Sequence, residues 1–219
     1  MTFSLLVRDP QSGVFGGASA TGNLCVGAWV LRGDARAGLT ASQGLYPSPM
    51  WGPEVLKLMS AGRDAAEAVR QVVASDAGRD VRQLAALDGN GATAVHNGAD
   101  NLAYCGHFAA ENLLAAGNML ASPAVLEAMV EEFASATGTL PARLIAGLAA
   151  GAAAGGDLRG LMSAAILVVS PDAPPLDLRI DQAGDPVGAL RGLYERTCDP
   201  AFRNWLAGIP TLNDPERAP

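Results

Sequence analysis

Lysine is almost missing from this chain: Lys57 is the sole one among 219 residues, against 22 Asp and Glu, and the formal net charge is −7. Without a basic patch, nucleic acid is not an expected partner, and acidity of this size mainly favours solubility. Histidine is nearly as scarce, with His96 and His107 alone. Cysteine occurs at 25, 105 and 198, an odd number with no CxxC pair, which excludes a disulfide framework and a structural zinc site by spacing. Aromatic residues make up 5%. The longest apolar run, Leu144 to Gly156, is too short to span a bilayer. Residues 1–9 lack the long apolar core of a secretory signal, because Arg8 and Asp9 interrupt it. A reducing, cytoplasmic setting with no membrane partner is the expectation.

Glycine and alanine are abundant; the 26 glycines suit closely packed layers and tight turns. The length fits one domain, read as residues 1–196, with a C-terminal tail over 197–219 that either stays loose or drapes across a neighbour. "TFSLLVR" alternates, with Phe3, Leu5 and Val7 on one face. "DPQSG" supplies turn chemistry and "VFGGASAT" returns, so residues 2–21 read as an antiparallel hairpin. Gly16 and Gly17 inside a strand imply close approach of another backbone or a ligand. "LCVGAWVL" and "RAGLTASQ" read as two more strands.

Helical spacing then takes over across residues 53–60 and 63–75. Asp88-Gly89-Asn90-Gly91 marks a hairpin, and a turn-rich stretch follows to about residue 120. Ser122 before Pro123 signals a helix start, and another helix covers 141–154. "SAAILVVS" is apolar enough for a strand buried on both faces. "LDLRI" alternates, and "DPVGALRGLYER" reads as a helix. Four strands arriving without intervening helices disfavour a parallel βαβ repeat. Helices flanking two stacked antiparallel sheets, an α+β fold with αββα layers, fit this order.

Familiar chemistries fail one by one. The Gly17–Gly22 spacing suggests a phosphate loop, but Asn23 and Leu24 stand where Lys and Ser/Thr belong. No G-x-S-x-G nucleophile elbow occurs. His96 reads as an exposed turn residue, and His107 as a partly buried, hydrogen-bonded ring rather than a base. A Cys105–His107 pair is weaker still. No metal set stands out, and no cofactor is indicated. That leaves Thr2. If Met1 is removed, Thr2 carries a hydroxyl and an α-amine on one residue, a pairing suited to acyl transfer, with the amine titrating near pH 8.

The stretches "MTFSLLVRDP", "ASQGLYPSPMWGPEVLKLMSAG", "RQLAALDGNG", "GNMLASPAVLEAM" and "GGDLRGLMSAAILVVS" resemble the bacterial family called domain of unknown function 1028, in consistent order from Met1 to about Tyr194. That family is similar in fold to the N-terminal-nucleophile (Ntn) hydrolases. The resemblance therefore implies an Ntn-hydrolase-like αββα sandwich and amide-bond hydrolysis, without fixing a substrate. Carried onto this chain it implies Thr2 as nucleophile. Ser19 stands where proteasome-like relatives keep an acidic orienting group, and Arg36 is nearest to their missing lysine. Asn118 is a candidate oxyanion donor or a turn residue, and Gln43 lines the pocket or makes an edge hydrogen bond. Asp157 and Arg159 form a structural ion pair or meet substrate. With Arg36 they would favour an anionic small amide. The alternative is a catalytically silent αββα domain that binds a small ligand or serves assembly, and a homo-oligomer suits either reading.

Overall fold

The computed structural model describes residues 2–156 and 159–218. Its described residues form an α+β sandwich in four layers, αββα, whose two stacked sheets are antiparallel throughout. The chain opens with strands β1 (Thr2–Arg8) and β2 (Phe15–Thr21), a helical turn α1 (Val26–Trp29), and strands β3 (Leu31–Asp34) and β4 (Gly38–Gly44). Helices α2 (Trp51–Ser60) and α3 (Ala65–Ala74) follow, then β5 (Arg82–Asp88), β6 (Thr93–Asn97), β7 (Tyr104–Ala110) and β8 (Leu113–Leu120). Helices α4 (Ala124–Ser135) and α5 (Leu140–Ala153) lead to β9 (Ser163–Ser170), β10 (Ala173–Ile180), α6 (Pro186–Thr197) and α7 (Pro200–Ala207).

Six strands make one sheet in the order β10-β9-β2-β1-β8-β7, and four make the other in the order β3-β4-β5-β6. The alternation in β1 divides its side chains between two cores. Phe3, Leu5 and Val7 pack outward with Leu126 and Met129 of α4 and Leu144 of α5, whereas Leu6 points inward to meet Leu39 of β4 and Leu87 of β5. Full burial of such side chains contributes about 1.5–3 kcal/mol each. A third core seats Trp51, Val55 and Val69 of α2 and α3 on Leu84 and Ala86 of β5. Asp64 caps α3, accepting from Glu67 N at 2.7 Å.

Three departures from the sequence reading carry physical lessons. "LCVGAWVL" is interrupted by α1: Cys25 takes φ 59°, and Val26 N donates to Ser163 Oγ at 3.0 Å across the sheet. The glycine pair in β2 admits side chains rather than a backbone or ligand. A Cβ on Gly16 would lie 2.8 Å from Leu144 Cδ1, and one on Gly17 3.3 Å from Leu31 Cδ2. The turn-rich stretch before residue 120 is the hairpin β7–β8. Residues 198–218 carry α7 and return to the rest of the domain, where Asn213 N donates to Pro171 O at 3.0 Å. Phe202 and Trp205 pair with each other, ring centroids 5.6 Å apart, and Trp205 stays exposed. Among the described residues, no helix is long and apolar enough to cross a membrane.

Candidate active site

Strand register builds the site. Thr2 lies opposite Thr21 on one side and Asn118 on the other, and Thr21 lies opposite Ser163. Side chains directly opposite in antiparallel strands share a face, so these four polar residues form one row across β8, β1, β2 and β9. All four are buried, and they stand at one end of the inter-sheet layer whose other rows are filled by Leu6, Leu39 and Leu87. The Thr2 hydroxyl donates to Thr21 Oγ1 at 3.0 Å.

Asn118 is the anomaly in the row. It has no exposed surface, and neither its Nδ2 nor its Oδ1 finds a hydrogen-bond partner among the described residues. Leaving a buried amide unpaired costs about 1–3 kcal/mol, so native structures rarely do so without a reason. The next residue, Met119, sits at φ 58°, uncommon for a side chain of its size. Pairing between β7 and β8 shifts register just there, between Tyr104 and Gly106. Bulges and strained backbone of this kind collect next to functional sites.

A cavity of about 430 Å³ opens on the row, lined by Thr2, Thr21, Met119 and Arg159 together with Leu24 and Trp29 around α1 and Leu45 and Tyr46 after β4. Behind Thr2 runs a second polar chain. The Ser4 and Ser19 hydroxyls lie 2.9 Å apart, and Ser4 Oγ donates to Gln43 Oε1 at 2.7 Å. Gln43 Nε2 donates to Gln83 Oε1 at 2.6 Å and reaches Thr2 O at 3.4 Å. Gln83 Nε2 in turn serves Asn97 Oδ1 at 2.7 Å and the carbonyls of Gly106 and Gly117, each at 3.0 Å.

The structure thus gathers Thr2, Asn118 and Arg159 of the sequence candidates at one place. Gln43 is neither on the cavity wall nor at a sheet edge: it is buried behind Thr2. Ser19 faces the same layer but one row deeper, against Ser4, because the hairpin register pairs Thr2 with Thr21. Arg36 stands apart, exposed in the β3–β4 turn at the far end of β4 from Gln43, with Nη2 3.5 Å from Leu212 O. Asp157 lies outside the described residues. Sequence reasoning missed Thr21, although a hairpin centred between Gln11 and Ser12 puts Thr2 directly opposite it.

The histidines are occupied elsewhere. His96 Nε2 is 3.0 Å from Arg79 O, and its ring meets Trp51 edge-on at 5.8 Å. His107 is exposed rather than partly buried, and its Nδ1 accepts from Asn97 Nδ2 at 3.0 Å. Burial pushes the Cys105 thiol up to about 11, so at neutral pH it is a protonated thiol and a poor nucleophile. Among the described residues no group of three or more His, Cys, Asp or Glu is placed to hold a metal ion.

The chain belongs to the family described as a family of unknown function (DUF1028), whose model matches residues 2–190. It is similar to a crystal structure of a DUF1028 protein from Silicibacter pomeroyi, with 46% identity and a TM-score of 0.94 over 99% of this chain and 98% of that one. A more remote likeness is to Anbu (ancestral beta-subunit) from Yersinia bercovieri, at 12% identity and a TM-score of 0.42 over 96% and 99% of the two chains. No curated protein matches the chain.

Proposed function

We propose that this protein is an Ntn-type amidohydrolase acting on a small amide, with Thr2 as both nucleophile and general base once Met1 is removed. The observation that carries the reading is the fully buried Asn118 amide, unpartnered among the described residues and in register with Thr2, which itself lines the cavity together with Met119 next to Asn118. In the first half-reaction the Thr2 α-amine takes the hydroxyl proton while Oγ1 attacks the substrate carbonyl carbon. Thr21 Oγ1, which accepts from the Thr2 hydroxyl, holds that hydroxyl in place until its proton passes to the amine. Asn118 Nδ2 donates to the developing oxyanion. Collapse breaks the C–N bond, the leaving nitrogen takes the proton from the α-ammonium, and an ester on Thr2 remains. Water deprotonated by the same amine then releases the acid and restores the hydroxyl.

The chemistry asks for no further acid, base or metal. That economy matters, because Ser19 is turned to Ser4 and Arg36 lies elsewhere. The same two facts favour the second reading, an αββα domain that holds a ligand or serves assembly without turnover.

Intact mass of untagged protein, followed by a threonine-directed β-lactone, decides between them. Loss of Met1 and addition of one acyl group mapped to Thr2 supports the hydrolase. Complete retention of Met1, or a processed chain that stays unacylated, supports the silent domain.

A further inference from the structure

Three of the large apolar side chains that this chain leaves in solvent converge on the Thr2 cavity: Leu24, Trp29 and Tyr46 are 47%, 53% and 68% exposed. Scattered exposed apolar residues need no explanation, but a cluster around one concave site does. The segments that carry them are tied to distant parts of the fold by hydrogen bonds at neighbouring positions and at Tyr46 itself. On the α1 side, Cys25 N donates to Asp181 O at 3.0 Å and Val26 N to Ser163 Oγ at 3.0 Å. On the other side, Leu45 N donates to Asn101 Oδ1 at 3.1 Å, and Tyr46 O accepts from Arg82 Nη1 at 2.8 Å. Fixed backbones carrying unpacked apolar side chains are preorganised for a guest, since the ordering cost is met before binding.

Polar side chains line the same cavity: Thr2, Thr21 and, beside Leu24, Asn23. Among the described lining residues none is acidic, and Arg159 is the charged one. A volume of about 430 Å³ suits a small molecule rather than a polymer, within the roughly 300–1,000 Å³ usual for ligand sites. We infer that the site selects an amide bearing an aromatic or branched-alkyl group, which rests on Leu24, Trp29 and Tyr46 while the amide reaches the threonine row. Of the groups expected from the sequence to favour an anion, Arg36 lies elsewhere and Arg159 lines the cavity, so the inference rests on the apolar rim and not on charge. The inference rests on the hydrolase reading for its reacting group, but the apolar subsite is separately testable.

Calorimetric titration of the full-length protein with N-acetyl-L-phenylalaninamide and with N-acetyl-L-aspartate tests it, alongside Trp29→Ala and Tyr46→Ala. Both replaced side chains are more than half exposed, so thermal melts should stay close to wild type. The expected result is binding of the apolar probe at least about tenfold tighter than the anionic one, and a loss of about tenfold in Trp29→Ala, the size expected for uncovering part of one aromatic side chain. Equal or tighter binding of the aspartate probe overturns the inference, and so does failure of both probes to bind. Light scattering adds a further arm: if Trp29→Ala dissolves a dimer and leaves probe binding unchanged, a second copy of the chain covers the rim and the subsite is refuted. Apolar binding that weakens in Trp29→Ala, with no acylation of Thr2, keeps the subsite and removes the hydrolase. Acylation of Thr2 without apolar preference does the reverse.

Discussion

On the hydrolase reading, Thr2→Ala should lower turnover by about 10⁴-fold or more and leave the fold intact. Among the described residues Thr2 makes one side-chain hydrogen bond, to Thr21, and alanine keeps the backbone pairing of β1 with β2 and β8. The methyl and hydroxyl that are lost uncover little of the apolar core, whose inward residues begin at Leu6. A fall in turnover with an unshifted unfolding midpoint therefore separates chemistry from structure. Asn118→Leu makes a sharper companion, because its two effects have opposite signs. Leucine is nearly isosteric with asparagine and has no polar atoms to leave unpaired, so stability rises by about 1–2 kcal/mol. Loss of the proposed oxyanion donor lowers kcat by about 10²–10³-fold. A gain in stability with activity unchanged would remove Asn118 from the mechanism. Full activity in Thr2→Ala would end the hydrolase reading altogether.

That opposition explains why the site was only partly legible in the sequence. Thr2 and Asn118 could be named by residue type, but what unites them is register, and register is set by turns and by partners far along the chain. The Asp9 turn fixes Arg8 opposite Phe15 and hence Thr2 opposite Thr21, which moves Ser19 one row deeper. Arg36 looked close because it precedes β4, yet the useful end of that strand is the other one, where Gln43 reaches behind Thr2. The exposed rim was invisible for another reason: Trp29 and Leu24 lie in a run that reads as a strand.

The same contrast runs through the fold. Helices α2, α3, α5 and α6 and strands β1, β2 and β9 announce themselves through periodicity and caps, signals written within a few residues of one another. The turn α1 depends on Ser163, 137 positions away, and no local pattern encodes it. Strands β7 and β8 are rich in Ala and Gly, residues of low strand propensity. They are strands because β8 pairs with β1 along almost its whole length. Tertiary pairing overrides propensity at the place where the site needs a bulge.

Gln83→Leu should be the most destabilising replacement in the inter-sheet layer, costing about 3–5 kcal/mol in urea unfolding. Gln83 is fully buried, and its amide joins both sheets. Its Oε1 accepts from Gln43, and its Nε2 serves Asn97 and two carbonyls of the β7–β8 hairpin. Leucine preserves volume but strands every one of those partners away from water, the asymmetry that makes a half-broken buried network worse than none. Gln43→Leu alone is costly for the same reason, since Gln83 Oε1 loses its donor and Ser4 one of its two acceptors. The double replacement should then cost about 1–2 kcal/mol less than the two single losses added, because each leucine removes an orphan the other created. Strict additivity, or a Gln83→Leu cost under about 1 kcal/mol, would reduce the chain of amides to filler. A coupled network means instead that the carbonyl of Thr2, at the end of the chain through Gln43, is held by the same bonds that hold the two sheets together.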